Sequence, residues 1–166
     1  MNEFELILCR VLSDFEIDFR KFMVDKDERI KAHKYCYLVS KFYKFPIDGC
    51  FSLYINGPYN HHLTDVLFDI ARNYDDMHCS SQKIELSKIH GLNNLIARII
   101  ELFPPKDSDV VSRLEIFTTF DFICTNYPSM SDNEKFDMLR RIKGHLFNSE
   151  TTLQNLMHIR EALNSR

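Results

Sequence analysis

Apolar positions recur at helical spacing along most of this chain. Residues 28–44, ERIKAHKYCYLVSKFYK, place Ala32, Tyr35, Cys36, Leu38, Val39, Phe42 and Tyr43 on one broad face, which predicts an amphipathic helix. Lys34, Lys41 and Lys44 fall on the opposite face, with Tyr37 among them. Pro46 ends that helix, because proline disfavours helical geometry in the residue before it. Upstream, EFELILCRVL (residues 3–12) predicts a first helix, and the acidic stretch 14–28 a short helix or turn. Downstream, Leu63, Val66, Leu67 and Ile70 form one stripe of a helix over 61–73, behind an Asn60 cap. A polar loop is expected around NYDDMHCSSQ.

A further helix over 88–103 buries Leu92, Leu95, Ile96, Ile99, Ile100 and Phe103 before Pro104-Pro105 stops it. Residues 108–126 are apolar almost all round, which places that helix at the centre of the fold. Ser131 and Glu134 are spaced as a capping box for a helix over 132–146, and Ser149 or Asn148 caps a last helix over 150–164. Only residues 50–55 depart from helical spacing. There Phe51, Leu53 and Ile55 alternate with Ser52 and Tyr54, which predicts a short strand, and Asn56-Gly57-Pro58 reads as a turn. The expected architecture is a mainly α single domain over residues 1–166, with six or seven helices and a small β element near residues 50–55.

Composition agrees with that outline. Four glycines and five prolines are too few for a sandwich or barrel of many short strands. Fourteen Phe and seven Tyr, with no Trp, predict an aromatic interior. A net charge of −3 gives no global pull toward nucleic acid. The opening MNEFELILCRVL lacks the pattern of a signal peptide, and no stretch approaches the roughly 20 apolar residues of a membrane span. Five scattered cysteines without a CxxC predict free thiols and a cytoplasmic protein.

Candidate chemistry is sparse. His61-His62 and His78-Cys79 are adjacent pairs whose side chains diverge on a helix, and no zinc-type spacing occurs, so no metal and no cofactor are expected. No GxSxG is present, and the four glycines cannot form a phosphate loop. Arg72 with His78, and Arg140 with His145, match the Arg-to-His spacing of HEPN-type ribonucleases, but two such pairs hardly exceed chance in a chain with this much Arg and His. The basic face of Lys34, Tyr37, Lys41 and Lys44, beside a strand and turn, offers an alternative: a winged-helix-like regulator that grips phosphates.

One stretch, FSLYINGPYNHHL (residues 51–63), crowds polar-tipped aromatics and amides at a turn. Tyr54, Asn56, Tyr59, His61 and His62 there have the composition of a protein interface. The segment 34–71 is similar to YwgA-like and SocA-like (Panacea) proteins, in which an aromatic-rich helix leads to a strand, a GPYS-type turn and a helix. Tyr54, Gly57, Pro58, Tyr59 and Leu63 stand at those places. Residues 113–163, beginning RLEIFTTFDFICTNYP, resemble that group's central helix and the two smaller helices after it. The resemblance implies an antitoxin-like regulator in a toxin–antitoxin or phage-defence setting, acting by direct binding of another protein. It implies no catalytic residue. A second copy of the chain and nucleic acid stay open as partners; a membrane is not expected.

Overall fold

Caps written into the sequence set where several helices begin. In the structure, a computed structural model that describes residues 2–47 and 49–165, α1 (Glu3–Asp14) starts at a capping box. Asn2 Oδ1 accepts from the Glu5 amide at 2.8 Å, and the Glu5 carboxylate accepts from the Asn2 amide at 3.1 Å. A one-turn helix α2 (Phe19–Phe22) leads into α3 (Lys26–Tyr43), which the Asp25 carboxylate caps at 2.8 Å from the Asp27 amide. The chain leaves α3 through Lys44 in the left-handed region and then meets Pro46.

A two-stranded antiparallel hairpin comes next, β1 (Ser52–Tyr54) and β2 (Gly57–Tyr59), in the register Ser52 opposite Tyr59 and Tyr54 opposite Gly57. Asn60 caps α4 (His61–Arg72) by accepting from the Leu63 amide at 2.9 Å. Then come α5 (Tyr74–Ser81), a 3-10 turn at Leu86–Lys88, α6 (Leu92–Leu102) and α7 (Val110–Asn126). The chain closes with α8 (Asp132–Lys143), a 3-10 turn at Gly144–Leu146 and α9 (Leu153–Asn164). The fold is mainly α with one small β element, as the periodicity predicts. Nine α-helices stand among the described residues, two of them short.

Three local expectations are corrected. Residues 74–81 are a helix, not a loop: Asp75 and Asp76 favour its N-terminal end, and Met77 and Ser81, one turn apart, are buried. Gly57 and Pro58 belong to a second strand, and the turn is Ile55-Asn56. Pro58 is tolerated because a two-stranded sheet leaves each strand an unpaired edge. Ile55 is 87% exposed at the hairpin tip. Thr152, rather than Ser149 or Asn148, caps α9, accepting from the Asn155 amide at 3.2 Å.

The buried side chains form one contiguous cluster from Leu8 to Leu163. Leu92, Leu95, Ile96 and Ile99 make the inner stripe of α6, and each such side chain contributes about 1.5–3 kcal/mol on burial. Helix α7 lies at the centre, against α3, α8, α9 and β2. Elements pack it on nearly every side, which is why it is apolar almost all round. The four polar exceptions, Glu115, Thr118, Thr119 and Asp121, are all buried and govern what surrounds the hairpin.

Candidate functional site

Two carboxylates in the central helix demand partners, because a buried unpaired charge costs several kcal/mol. Lys143 from α8 supplies one, with Nζ 3.0 Å from Glu115 Oε2. The same ammonium donates to the Ile55 carbonyl at the hairpin turn. Lys34 from α3 donates to the Pro58 carbonyl at 2.6 Å. Two buried lysines thus hold one hairpin, Lys143 at its turn and Lys34 at the middle of β2. Burial pushes the Lys34 amine down to about 7, against the pull of Glu115 and with the repulsion of Lys143.

Gly57 fixes how closely the hairpin approaches α7. A Cβ there would stand 2.7 Å from Thr119 Oγ1 and 3.5 Å from Lys34 Nζ, and the φ of +92° is one that L side chains rarely adopt. Thr119 Oγ1 is itself buried with no hydrogen-bond partner among the described residues.

On the other side of the hairpin, His33 Nε2 accepts from the Asn60 amide at 2.9 Å, so that nitrogen must be unprotonated. Burial, reinforced by the charge of Lys34, holds the ring neutral with a pKa of about 3. The neutral imidazole stacks on Tyr59, 5.0 Å between centroids and 6° from parallel. Tyr54 lies 5.0 Å from Tyr59, and His61 6.5 Å. Four of the residues named for a protein interface therefore cluster: Tyr54, Asn56 and Tyr59 on the hairpin, and His61 at the start of α4. His62 is exposed on the same first turn. Tyr54 is 60% and Ile55 87% exposed, so the hairpin ends in an apolar tip that none of the described residues covers.

The basic face expected on α3 is corrected. Lys34 is 2% and Tyr37 4% exposed, because α3 is packed by α7, α6 and the hairpin on nearly all sides. Tyr37 Oη donates to Asp121 Oδ2 at 2.6 Å, and Arg160 Nε of α9 donates to the other Asp121 oxygen at 2.8 Å. Lys41 donates to Thr125 at 2.7 Å, and only Lys44 is exposed. Those four residues do not form a surface for phosphates. Each arginine of the ribonuclease pairs is engaged by a carboxylate on its own helix. Arg72 is paired with Asp69 at 2.8 Å, His78 Nδ1 lies 3.2 Å from the Tyr74 hydroxyl, and Arg140 is paired with Asp137 at 3.3 Å, while His145 sits exposed in the second 3-10 turn.

Among the described residues no three His, Cys, Asp or Glu side chains gather as a metal set, and no helix is long and apolar enough to cross a membrane. The five cysteines are free thiols, with Cys9, Cys36 and Cys124 buried. A cleft of about 320 Å³ between α7 and α9 has an apolar floor including Phe103, Phe117 and Leu156, and its rim arginine, Arg113, donates to the Leu102 carbonyl at 2.5 Å.

Sequence reasoning missed the buried pairs Glu115–Lys143 and Asp121–Arg160 and the burial of Lys34 under the hairpin. The cue was present: two carboxylates inside the most apolar helix require cations from elsewhere in the chain. Compared with protein-family models, with curated proteins and with solved structures, this chain matches none.

Proposed function

We propose that this protein is a non-enzymatic regulator that acts by binding another protein, in the manner of an antitoxin, with the hairpin tip at Tyr54 and Ile55 as its anchor. The observation that carries the reading is an exposed apolar tip on a hairpin held by buried lysines at its turn and at its second strand. An anchor fixed before binding loses little conformational entropy when it docks, and burying one Ile or Tyr yields about 1.5–3 kcal/mol. Tyr59 and His61 flank the tip with the amphipathic rings common at hot spots. The resemblance to antitoxin-type proteins rests on Tyr54, Gly57, Pro58, Tyr59 and Leu63, which is the segment that builds this projection.

The test is an affinity pull-down from the native cell, with nuclease treatment, at low and high salt. A stoichiometric protein partner retained at high salt by the wild type and lost by Tyr54→Ala/Ile55→Ser, with an unchanged melting temperature, is the expected result. Equal capture by both forms, or recovery of nucleic acid alone, overturns the reading.

A further inference from the structure

A second cleft of about 320 Å³ opens beside the hairpin, between the first half of α3, the hairpin and α4. Its floor is apolar, from Phe22, Ile30, Leu67 and Phe68. Its charged lining residues are Lys26, Arg29 and Lys34, and no carboxylate lines it. Two of the cations are available. Lys26 is exposed and makes no ion pair among the described residues. Arg29 commits Nη1 to the Phe22 and Met23 carbonyls, at 3.0 and 3.2 Å, which fixes its guanidinium at the wall. Lys34 donates to the Pro58 carbonyl at the back of the cleft and is not a contact.

Most of the exposed large hydrophobics stand close in the chain to residues that line this cleft. Met23 and Val24 lie in the turn between the lining residues Phe22 and Lys26. Tyr54 and Ile55 adjoin the lining residue Asn56. These are four of the five large hydrophobics exposed among the described residues; the other is Tyr127.

We infer that this cleft takes an acidic peptide segment of the protein partner, its carboxylates against Lys26 and Arg29 and apolar side chains toward Met23–Val24 and Tyr54–Ile55. The inference rests on the protein-binding reading and names the chemistry of the partner. Charge complementarity favours an anion, since the cleft is cationic in a chain of net charge −3. The apolar floor favours a peptide over a nucleic acid.

The test selects short random peptides displayed on phage against the wild-type protein. The best binder is then synthesised with a fluorophore and its affinity measured by anisotropy. An acidic consensus with apolar residues is expected, weakened about tenfold or more by Lys26→Glu/Arg29→Gln and by added salt. Lys26→Glu alone, at an exposed position, gives the same direction without risk to the fold. A consensus lacking acidic residues, an affinity unchanged in both variants, or no enriched peptide overturns the inference. So does a labelled single-stranded oligonucleotide that binds more tightly than the peptide and is released by Lys26→Glu. If the pulled-down partner is lost by the hairpin variant but kept by Lys26→Glu/Arg29→Gln, the hairpin reading stands and the cleft assignment falls. If neither variant matters, both fall.

Discussion

Gly57 holds the hairpin against α7 through the absence of a side chain. Gly57→Ala asks an L residue to accept a φ of +92° and puts a methyl 2.7 Å from a buried threonine oxygen. The backbone cost alone is about 1–2 kcal/mol, and the clash raises the loss to about 2–4 kcal/mol. Thr119→Ala removes the atom in the way. Because Thr119 Oγ1 makes no hydrogen bond among the described residues, that change alone costs about 1 kcal/mol or less. The double variant should therefore be more stable than the sum of the singles, recovering the steric part and leaving the φ part. Urea unfolding of the four proteins measures this coupling. Strict additivity would mean that the hairpin does not press on α7 as described.

Among elements, α9 is tied to the centre by one charged pair, and its two halves are not equivalent. Asp121 is fully buried and accepts from Tyr37 and Arg160, whereas the Arg160 side chain still reaches solvent. Removing the arginine strands a buried carboxylate; removing the charge of the aspartate leaves a guanidinium that water can partly solvate. Arg160→Met is thus expected to cost about 3 kcal/mol and Asp121→Asn about half that, with faster amide exchange along α9 in the first. The reverse order would mean that Asp121 is less desolvated than its packing implies. The elements themselves were largely legible in the sequence. The stripes of α4 and α6 and the capping box of α8 are local, and local rules found them. Helix α5 was not, since only Met77 and Ser81 face inward and its polar majority reads as loop. Strand β2 was not either, because Gly-Pro is a turn by local propensity and is a strand here through its pairing with β1, with the Pro58 carbonyl held by Lys34, 24 positions away. The candidate site divides the same way. The tip residues Tyr54 and Tyr59 could be named from composition, but the burial of Lys34 and Tyr37 depends on how many elements surround α3, which no single helix encodes.

At the scale of the whole molecule, burying a histidine and a lysine beneath the hairpin makes stability depend on pH in two separate windows. The folded state holds His33 at about 3, against an ordinary value of 6.5, so between those limits the unfolded chain binds more protons than the folded one. Stability therefore rises with pH across that range and is lost as the solution is acidified below about 6.5. Lys34 sits at about 7 in the fold against 10.5 in the open chain, which gives a second rise between neutrality and about 10.5. Below neutrality both states carry the Lys34 proton, and its burial cost is constant. Each group adds a slope of up to about 1.4 kcal/mol per pH unit inside its own window. His33→Gln keeps an oxygen able to accept from the Asn60 amide but cannot be protonated, so it should flatten the acid limb and leave the alkaline one. Lys34→Met should do the opposite, at the cost of the bond to Pro58. Urea midpoints of the three proteins across both windows separate the contributions, because groups remote from the hairpin titrate alike in all three. If His33→Gln keeps the wild-type slope below about 6.5, the imidazole is not the buried neutral acceptor that joins α3 to the hairpin, and the rigidity proposed for the tip loses one of its supports.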